Sequence, residues 1–214
     1  MLQLSARELL TTTRSVRKRL DLHRSVDLEL VKDALHDALQ APSGSNAQRW
    51  HFVVVTDADR RREIGSLYRS AVHQYLNSPG SAANLFSEHP ELNTVQQRVG
   101  SSVAYLGEVM GQVPVLVIPC LELPDGLPDG NQAGTWGSVL PAAWSYMLAA
   151  RLRGLGTAWT TLHLTYEAEV ANILGLPSNM YQGALIPTAH TIGTTFRPAN
   201  RRRLNEVLHV DSWT

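Results

Sequence analysis

Ala41-Pro42-Ser43-Gly44-Ser45-Asn46-Ala47-Gln48-Arg49-Trp50-His51-Phe52 is the stretch on which the fold reading turns. Its first half is small, polar and proline-containing, the composition of a loop that breaks a helix. Its second half runs into His51-Phe52-Val53-Val54-Val55-Thr56, a β-branched and aromatic run that predicts a buried strand. Immediately upstream, residues 27–40 have helical spacing. Leu28, Leu30, Val31, Leu35, Ala38 and Leu39 are interleaved with Glu29, Lys32, Asp33, His36 and Asp37, and Asp27 suits the N-cap. Helix, tight loop and strand therefore follow one another here.

Further out the same alternation continues. Helical spacing recurs over residues 5–12, 58–76, 94–111 and 165–174, the last closed by Gly175 and Pro177. Val113 to Cys120 reads as a short strand whose prolines suit its ends better than its middle. Residues 157–161 and 182–192 read as two more strands. Residues 132–153 form an almost wholly apolar helix, which must be buried in a core or an oligomer interface, and Pro141 kinks it or starts its second part. Its surplus of apolar surface predicts a dimer. Residues 77–93 carry two prolines, a glycine and many small polar residues, and read as a long loop or broken helix of the kind that covers a site. The class is α/β or α+β, in one domain over residues 1–214.

Composition narrows the chemistry. Lys+Arg and Asp+Glu both number 19, so the net charge is zero, which argues against a generally basic nucleic-acid binder. One cysteine excludes a disulfide framework, and Cys120 in an apolar strand reads as inert core. No apolar run approaches the roughly 18 residues of a membrane span, and the N-terminus lacks a signal-peptide pattern. The expectation is a cytoplasmic protein with no nucleic-acid or membrane partner. No GxxxxGK[ST], GxSxG or HExxH is present, and Gly154-Leu155-Gly156 lacks the third glycine of the dinucleotide fingerprint. Hydrolytic and metal chemistry thus have no visible apparatus, and a bound cofactor is the natural carrier of any reaction.

Two basic runs stand out: Arg14-Ser15-Val16-Arg17-Lys18-Arg19 and Arg197-Pro198-Ala199-Asn200-Arg201-Arg202-Arg203. Neither contains an acid. Guanidinium forks match phosphate oxygens in pairs, so the runs suit either convergence on one anion or two solvated faces.

Taken together, Thr13-Arg14-Ser15-Val16-Arg17 and the 41–52 stretch resemble the flavin-binding signature of the nitroreductase family, R-R-S-x-R followed by A-P-S-x-x-N-x-Q-P-W-x-F. Thr13 stands where many members have arginine, and Arg49 where they have proline. The resemblance extends to residues 156–160 and to Arg201. It implies an α+β, three-layer α/β/α fold with a mostly antiparallel sheet, assembled as a homodimer with FMN at each subunit interface. It implies an oxidoreductase that passes hydride from NADH or NADPH through flavin N5 to a nitro, quinone or related acceptor, in ping-pong fashion, with no protein nucleophile or obligatory acid. The alternative is a flavin- or deazaflavin-binding carrier without efficient turnover. On this resemblance Arg14, Ser15, Val16, Arg17, Arg201 and Arg203 hold the phosphate. Pro42, Ser43, Gly44 and Asn46 approach the ring from the partner subunit, braced by Gln48. Thr160 and Thr161 supply backbone contacts at the ring's N5 and O4 edge, where an N–H would stabilise the charge gained on reduction.

Overall fold

The computed structural model describes residues 1–213 except 87 and 89. The run after the 42–46 loop forms strand β1 (Trp50–Val55), which pairs antiparallel with β2 (Val115–Glu122), Val53 opposite Ile118. On its other side β2 pairs antiparallel with β4 (Met180–Gln182) and then with β5 (Ile186–His190), and β5 pairs with β3 (Leu155–Thr157). The sheet order is β1-β2-β5-β3, with β4 beside β2.

Alternation along β2 creates the layers. Leu116, Ile118 and Cys120 point into one core with Ile64, Tyr68 and Val72 of α3 (Ala58–Leu76) and Val103 and Leu106 of α4 (Pro90–Val109). Val115 and Val117 point into another with Val31 and Ala34 of α2 (Leu28–Ala38) and Ala143, Tyr146 and Met147 of α6 (Leu140–Leu152). Side chains two residues apart share a face, so a strand that is apolar on both faces needs helices on both sides. The result is the expected α+β sandwich of helix, antiparallel sheet and helix. A shorter helix precedes these (α1, Ala6–Thr12), α5 (Ala133–Trp136) leads into α6, and α7 (Glu167–Leu174) precedes β4.

Local signals behave as read at the helix ends. Asp27 accepts from the Glu29 N–H, and Gly175 closes α7 at φ 67°, a left-handed conformation that favours glycine. Four boundaries differ. The 132–153 helix is two, with Pro141 in the first turn of α6, where its missing N–H costs nothing. The 157–161 strand lies earlier, at Leu155–Thr157, where it pairs with β5, and on its other side the Val16 N–H donates to the Thr157 carbonyl at 2.7 Å. The 182–192 strand is broken between β4 and β5, and Pro119 sits inside β2 opposite that break. The Pro119 carbonyl accepts from Gly183 N–H at 2.8 Å, and in an antiparallel strand N–H and C=O of one residue face the same neighbour. The missing amide therefore faces the break. Finally, α4 already begins at Pro90, so the 77–93 excursion ends in helix, with Ser87 and His89 outside the described residues.

The apolar surface of residues 132–153 is used mostly inside the chain. Ala142, Ala143, Tyr146, Met147, Ala149 and Ala150 are buried within the chain itself, and the Tyr146 hydroxyl meets Thr188 Oγ1 at 2.9 Å. Trp144, 39% exposed, is the large apolar side chain of α6 left open.

Candidate functional site

Gly156 positions the first half of the site. A Cβ there would lie 2.6 Å from Thr191 Cγ2 and 3.1 Å from Val16, so only glycine lets β3 accept the 14–17 segment so closely. Val16 is thereby fixed as a core residue, with its N–H committed to Thr157. Its neighbours face outward: Ser15 and Lys18 are exposed, Arg14 and Arg17 half-buried. Residues 14–19 line an open cleft of ≈ 320 Å³ together with Ser102 and Phe196.

The cations of this cleft have hydroxyl and carbonyl partners but no carboxylate. Arg17 Nη1 donates to Ser102 Oγ at 3.3 Å, Lys18 Nζ to Ser101 Oγ at 2.8 Å, and Arg14 Nη1 to the Arg197 carbonyl at 2.8 Å. Among the described residues none of Arg14, Arg17, Lys18 and Arg19 forms an ion pair. Burial holds the Arg17 guanidinium below its usual range, partly offset by the phenol oxygens of Tyr68 and Tyr75. A half-desolvated cation without a counter-charge is a site that favours an anion.

Arg19 differs from its neighbours. Its three nitrogens donate to the carbonyls of Ile192, Thr195 and Gly193 at 2.6–3.0 Å, and its guanidinium lies 4.1 Å from the Phe196 ring centroid. Arg151 adds a bond to the Thr194 carbonyl and packs on the same ring. The two arginines thus clamp the 192–196 loop that walls the cleft.

The second basic run joins the first only through its start. The Arg197 carbonyl receives Arg14, whereas Arg201 and Arg203 are exposed and do not line the cleft. Arg203 precedes a short 3-10 turn (Leu204–Glu206), and Arg201 reaches no farther than the Asn200 carbonyl. Within one chain, then, the tail arginines expected at the phosphate do not meet Arg14 and Arg17.

Thr160 and Thr161 follow β3. The Thr160 N–H donates to the Leu185 carbonyl at 3.1 Å and its carbonyl accepts from Leu185 N–H at 2.8 Å, while Oγ1 lies 3.1 Å from the Tyr68 hydroxyl. Thr160 therefore has no amide to offer a ligand. Thr161 is exposed, and its carbonyl accepts from Leu164. Of the pair, Thr161 is the one whose N–H is free for a ligand among the described residues.

The 42–48 loop lies elsewhere. It leads into β1 at one edge of the sheet, while the 14–17 segment runs along β3 at the other. Pro42 and Ser43 enter the turn. The Gly44 N–H donates to Ser138 Oγ at 3.1 Å, Ser43 Oγ accepts from Gln48 N–H, and Gln48 Nε2 donates to Asn46 Oδ1 at 3.0 Å, the bracing expected of Gln48. Ser45, Asn46 and Gln48 all have φ near +51°. Left-handed backbone at three non-glycine positions within four residues is costly, and such strain gathers where function holds it.

Residues the sequence reading passed over are Tyr68, Tyr75, Ser101, Ser102 and Phe196. The one available signal was the spacing of Tyr68 and Tyr75, seven apart on one helix and so on one face.

Residues 10–190 match the profile of the nitroreductase family. The chain belongs to that family. Among nitroreductase-family relatives and neighbours, rat (Rattus norvegicus) iodotyrosine deiodinase 1 is 24% identical over 206 residues, 94% of this chain and 67% of that protein. A Methanothermobacter thermautotrophicus protein named for NADH dehydrogenase or NAD(P)H nitroreductase activity is 24% identical over 96% of this chain and 86% of its own length. In structure, the FMN- and NADPH-dependent nitroreductase NfnB from Sphigopyxis sp. strain HMH superposes with a TM-score of 0.72 at 22% identity, covering 98% of this chain and all of that one. At that identity the likeness establishes the nitroreductase fold. Among the described residues no cluster suits a metal ion, and no helix is long and apolar enough to cross a membrane.

Proposed function

We propose that this nitroreductase-family chain is an FMN-dependent oxidoreductase that uses NADH or NADPH to reduce a nitro compound, quinone or related small molecule, working as a homodimer in the cytoplasm. The observation that carries the reading is the acid-free cluster of Arg14, Arg17 and Lys18 around the cleft beside Ser15. Its donor chemistry fits a phosphate: two guanidiniums, an ammonium and an exposed hydroxyl, with no carboxylate to compete.

Arg14, Ser15 and Arg17 would hold the phosphate, and the Thr161 amide would face the ring. Pro42, Ser43, Gly44 and Asn46 would come from the second subunit. The separation of the two motif halves to opposite edges of one sheet supports that division, because a single chain leaves each half a partial site. Arg201 and Arg203 would reach the phosphate only in the assembled dimer. Trp144 and the exposed Leu204, Leu208, Val210 and Trp213 supply apolar surface for such an assembly. When bound, FMN would supply a two-electron carrier between reduced nicotinamide and acceptor. The protein's part is to bind, orient and place donors where negative charge accumulates. The deiodinase relatives extend the acceptor class to a halogenated aromatic.

The test is the visible spectrum of the purified protein reconstituted with FMN, recorded before and after anaerobic NADH or NADPH. A flavin spectrum bleached within seconds supports the reading. A stable yellow protein would point to a carrier, and a protein that takes up no FMN would overturn it.

A further inference from the structure

Tyr68 is among the largest fully buried side chains, and its hydroxyl stands beside Thr160. It lies on α3, 1% exposed, in the core with Val72 and Leu106. A phenol hydroxyl at that depth needs a partner, and the one it has is Thr160 Oγ1 at 3.1 Å. Thr160 is already tied at its N–H and its carbonyl to Leu185. The Tyr68 bond is its third anchor, and the only one that comes from a helix. Burial pushes the Tyr68 phenol above its usual range, partly offset by the Thr160 bond and the Arg17 charge. Both groups are hydroxyls, so either can donate the bond that joins them. One hydroxyl thus ties α3 to the segment bearing the Thr161 amide.

We infer that Tyr68 is a positioning residue: through Thr160 it fixes the Thr161 amide against α3, and so sets how strongly the site prefers the reduced over the oxidised flavin ring. The inference rests on the flavin reading above. Tyr68 touches neither the ring nor the phosphate. It acts by removing the freedom of the peptide that does. An N–H held toward charge that develops on reduction stabilises that form without reorganising, whereas a loosened one does so less.

The experiment compares wild type with Tyr68→Phe, Thr160→Val, the double variant and Thr160→Ser, each loaded with FMN. Two quantities are measured: the dissociation constant of oxidised FMN by fluorescence quenching, and the two-electron midpoint potential by equilibration with a reference dye. Tyr68→Phe and Thr160→Val are each expected to lose about tenfold in preference for reduced over oxidised FMN, a potential more negative by about 30 mV. The double variant should show no further loss, because the two changes break one bond. Thr160→Ser, which keeps the hydroxyl, should hold the wild-type potential. Affinity for oxidised FMN should change less than about threefold throughout. If Tyr68→Phe does not fold, Thr160→Val and the double variant, which leaves no hydroxyl unpaired, carry the test. Wild type that binds FMN while the folded variants keep its potential overturns the role of Tyr68 alone. Wild type that takes up no FMN overturns the flavin reading and this inference with it.

Discussion

Arg17 Nη1 and Ser102 Oγ are 3.3 Å apart, joining the basic run of the N-terminal segment to the helix that follows the 77–93 excursion. A hydroxyl is a weak partner for a half-buried guanidinium, and an arriving phosphate would replace it with a charge-assisted bond. Such bonds are worth roughly 1.5–3 kcal/mol. Arg17→Ala is expected to weaken FMN binding by roughly 10- to 100-fold, Arg17→Lys by less, and Ser102→Ala by no more than about threefold. Fluorescence titration of the apoprotein measures all three. Equal affinity in Arg17→Ala and wild type would remove this arginine from the phosphate site.

Gly156 makes a second prediction, about backbone approach. Its alanine Cβ would stand 2.6 Å from Thr191 Cγ2 and 3.1 Å from the buried Val16 side chain. Gly156→Ala should destabilise the fold by about 1–3 kcal/mol and shift the 14–17 segment, weakening FMN binding. Adding Thr191→Ser removes the nearer methyl and should recover part of both losses. Urea denaturation together with FMN titration checks this, and an unperturbed Gly156→Ala protein would contradict the close approach.

Those two cases mark how far the sequence could be read. Asp27 and Gly175 end their helices as their types dictate, because capping is decided within a few residues. The 42–48 loop was legible for the same reason, down to Gln48 bracing Asn46. Tyr68 and Thr160 meet across 92 residues, and nothing local to either announces the other. Arg19 looked like its neighbours in the basic run, yet it is spent on three carbonyls of the 192–196 loop. The course of the tail after Arg197 has no periodicity to betray it, so guanidinium chemistry could suggest that the two runs converge on one anion but not that Arg201 and Arg203 lie away from the cleft within the chain.

Acid stability follows from His163. The ring is fully buried, neither nitrogen has a hydrogen-bond partner among the described residues, and burial pushes its pKa down to about 4 from 6.5. As pH falls below about 6.5 the unfolded chain takes up a proton that the folded chain refuses until about pH 4. The folded state should therefore be fully stable above that window and lose on the order of 3 kcal/mol across it, about 1.4 kcal/mol per unit. His163→Leu should flatten that slope. Urea midpoints measured at pH 7 and pH 5 provide the comparison, and identical slopes in the two proteins would show that other groups govern the acid limb.

The shared site can be tested by mixing. One chain carries Arg14→Ala and Arg17→Ala; the other carries Asn46→Ala and Gly44→Val in the loop. Each homodimer should lack FMN, since every site then contains one damaged half. Unfolding and refolding the two together should restore about a quarter of the sites, because half of the random dimers are mixed and each has one intact pair. No recovery would mean that a single chain forms the site.

The excursion makes the last prediction. Its base is pinned where the Ala82 N–H donates to the Tyr75 hydroxyl at 2.6 Å, while Leu85 and Leu92 stand exposed beyond it. Leu85→Ser with Leu92→Ser should raise KM for apolar aromatic acceptors several-fold and leave FMN affinity within about twofold, since apolar contact contributes roughly 25 cal/mol per Å². Steady-state kinetics with a nitroaromatic and a small hydrophilic quinone separates the effects; parallel loss of flavin and activity would show that the segment is structural.

Pro119 has a consequence for how the sheet assembles. A β-strand that slid by one residue along β2 would turn its whole apolar set to the wrong face. Because position 119 has no amide to offer on the side away from β1, the ladder there is interrupted, and the C-terminal run pairs as two short pieces on either side. Misregistered pairings lose a rung at that point, so a single imino acid acts as a ruler for where β4 stops and β5 starts.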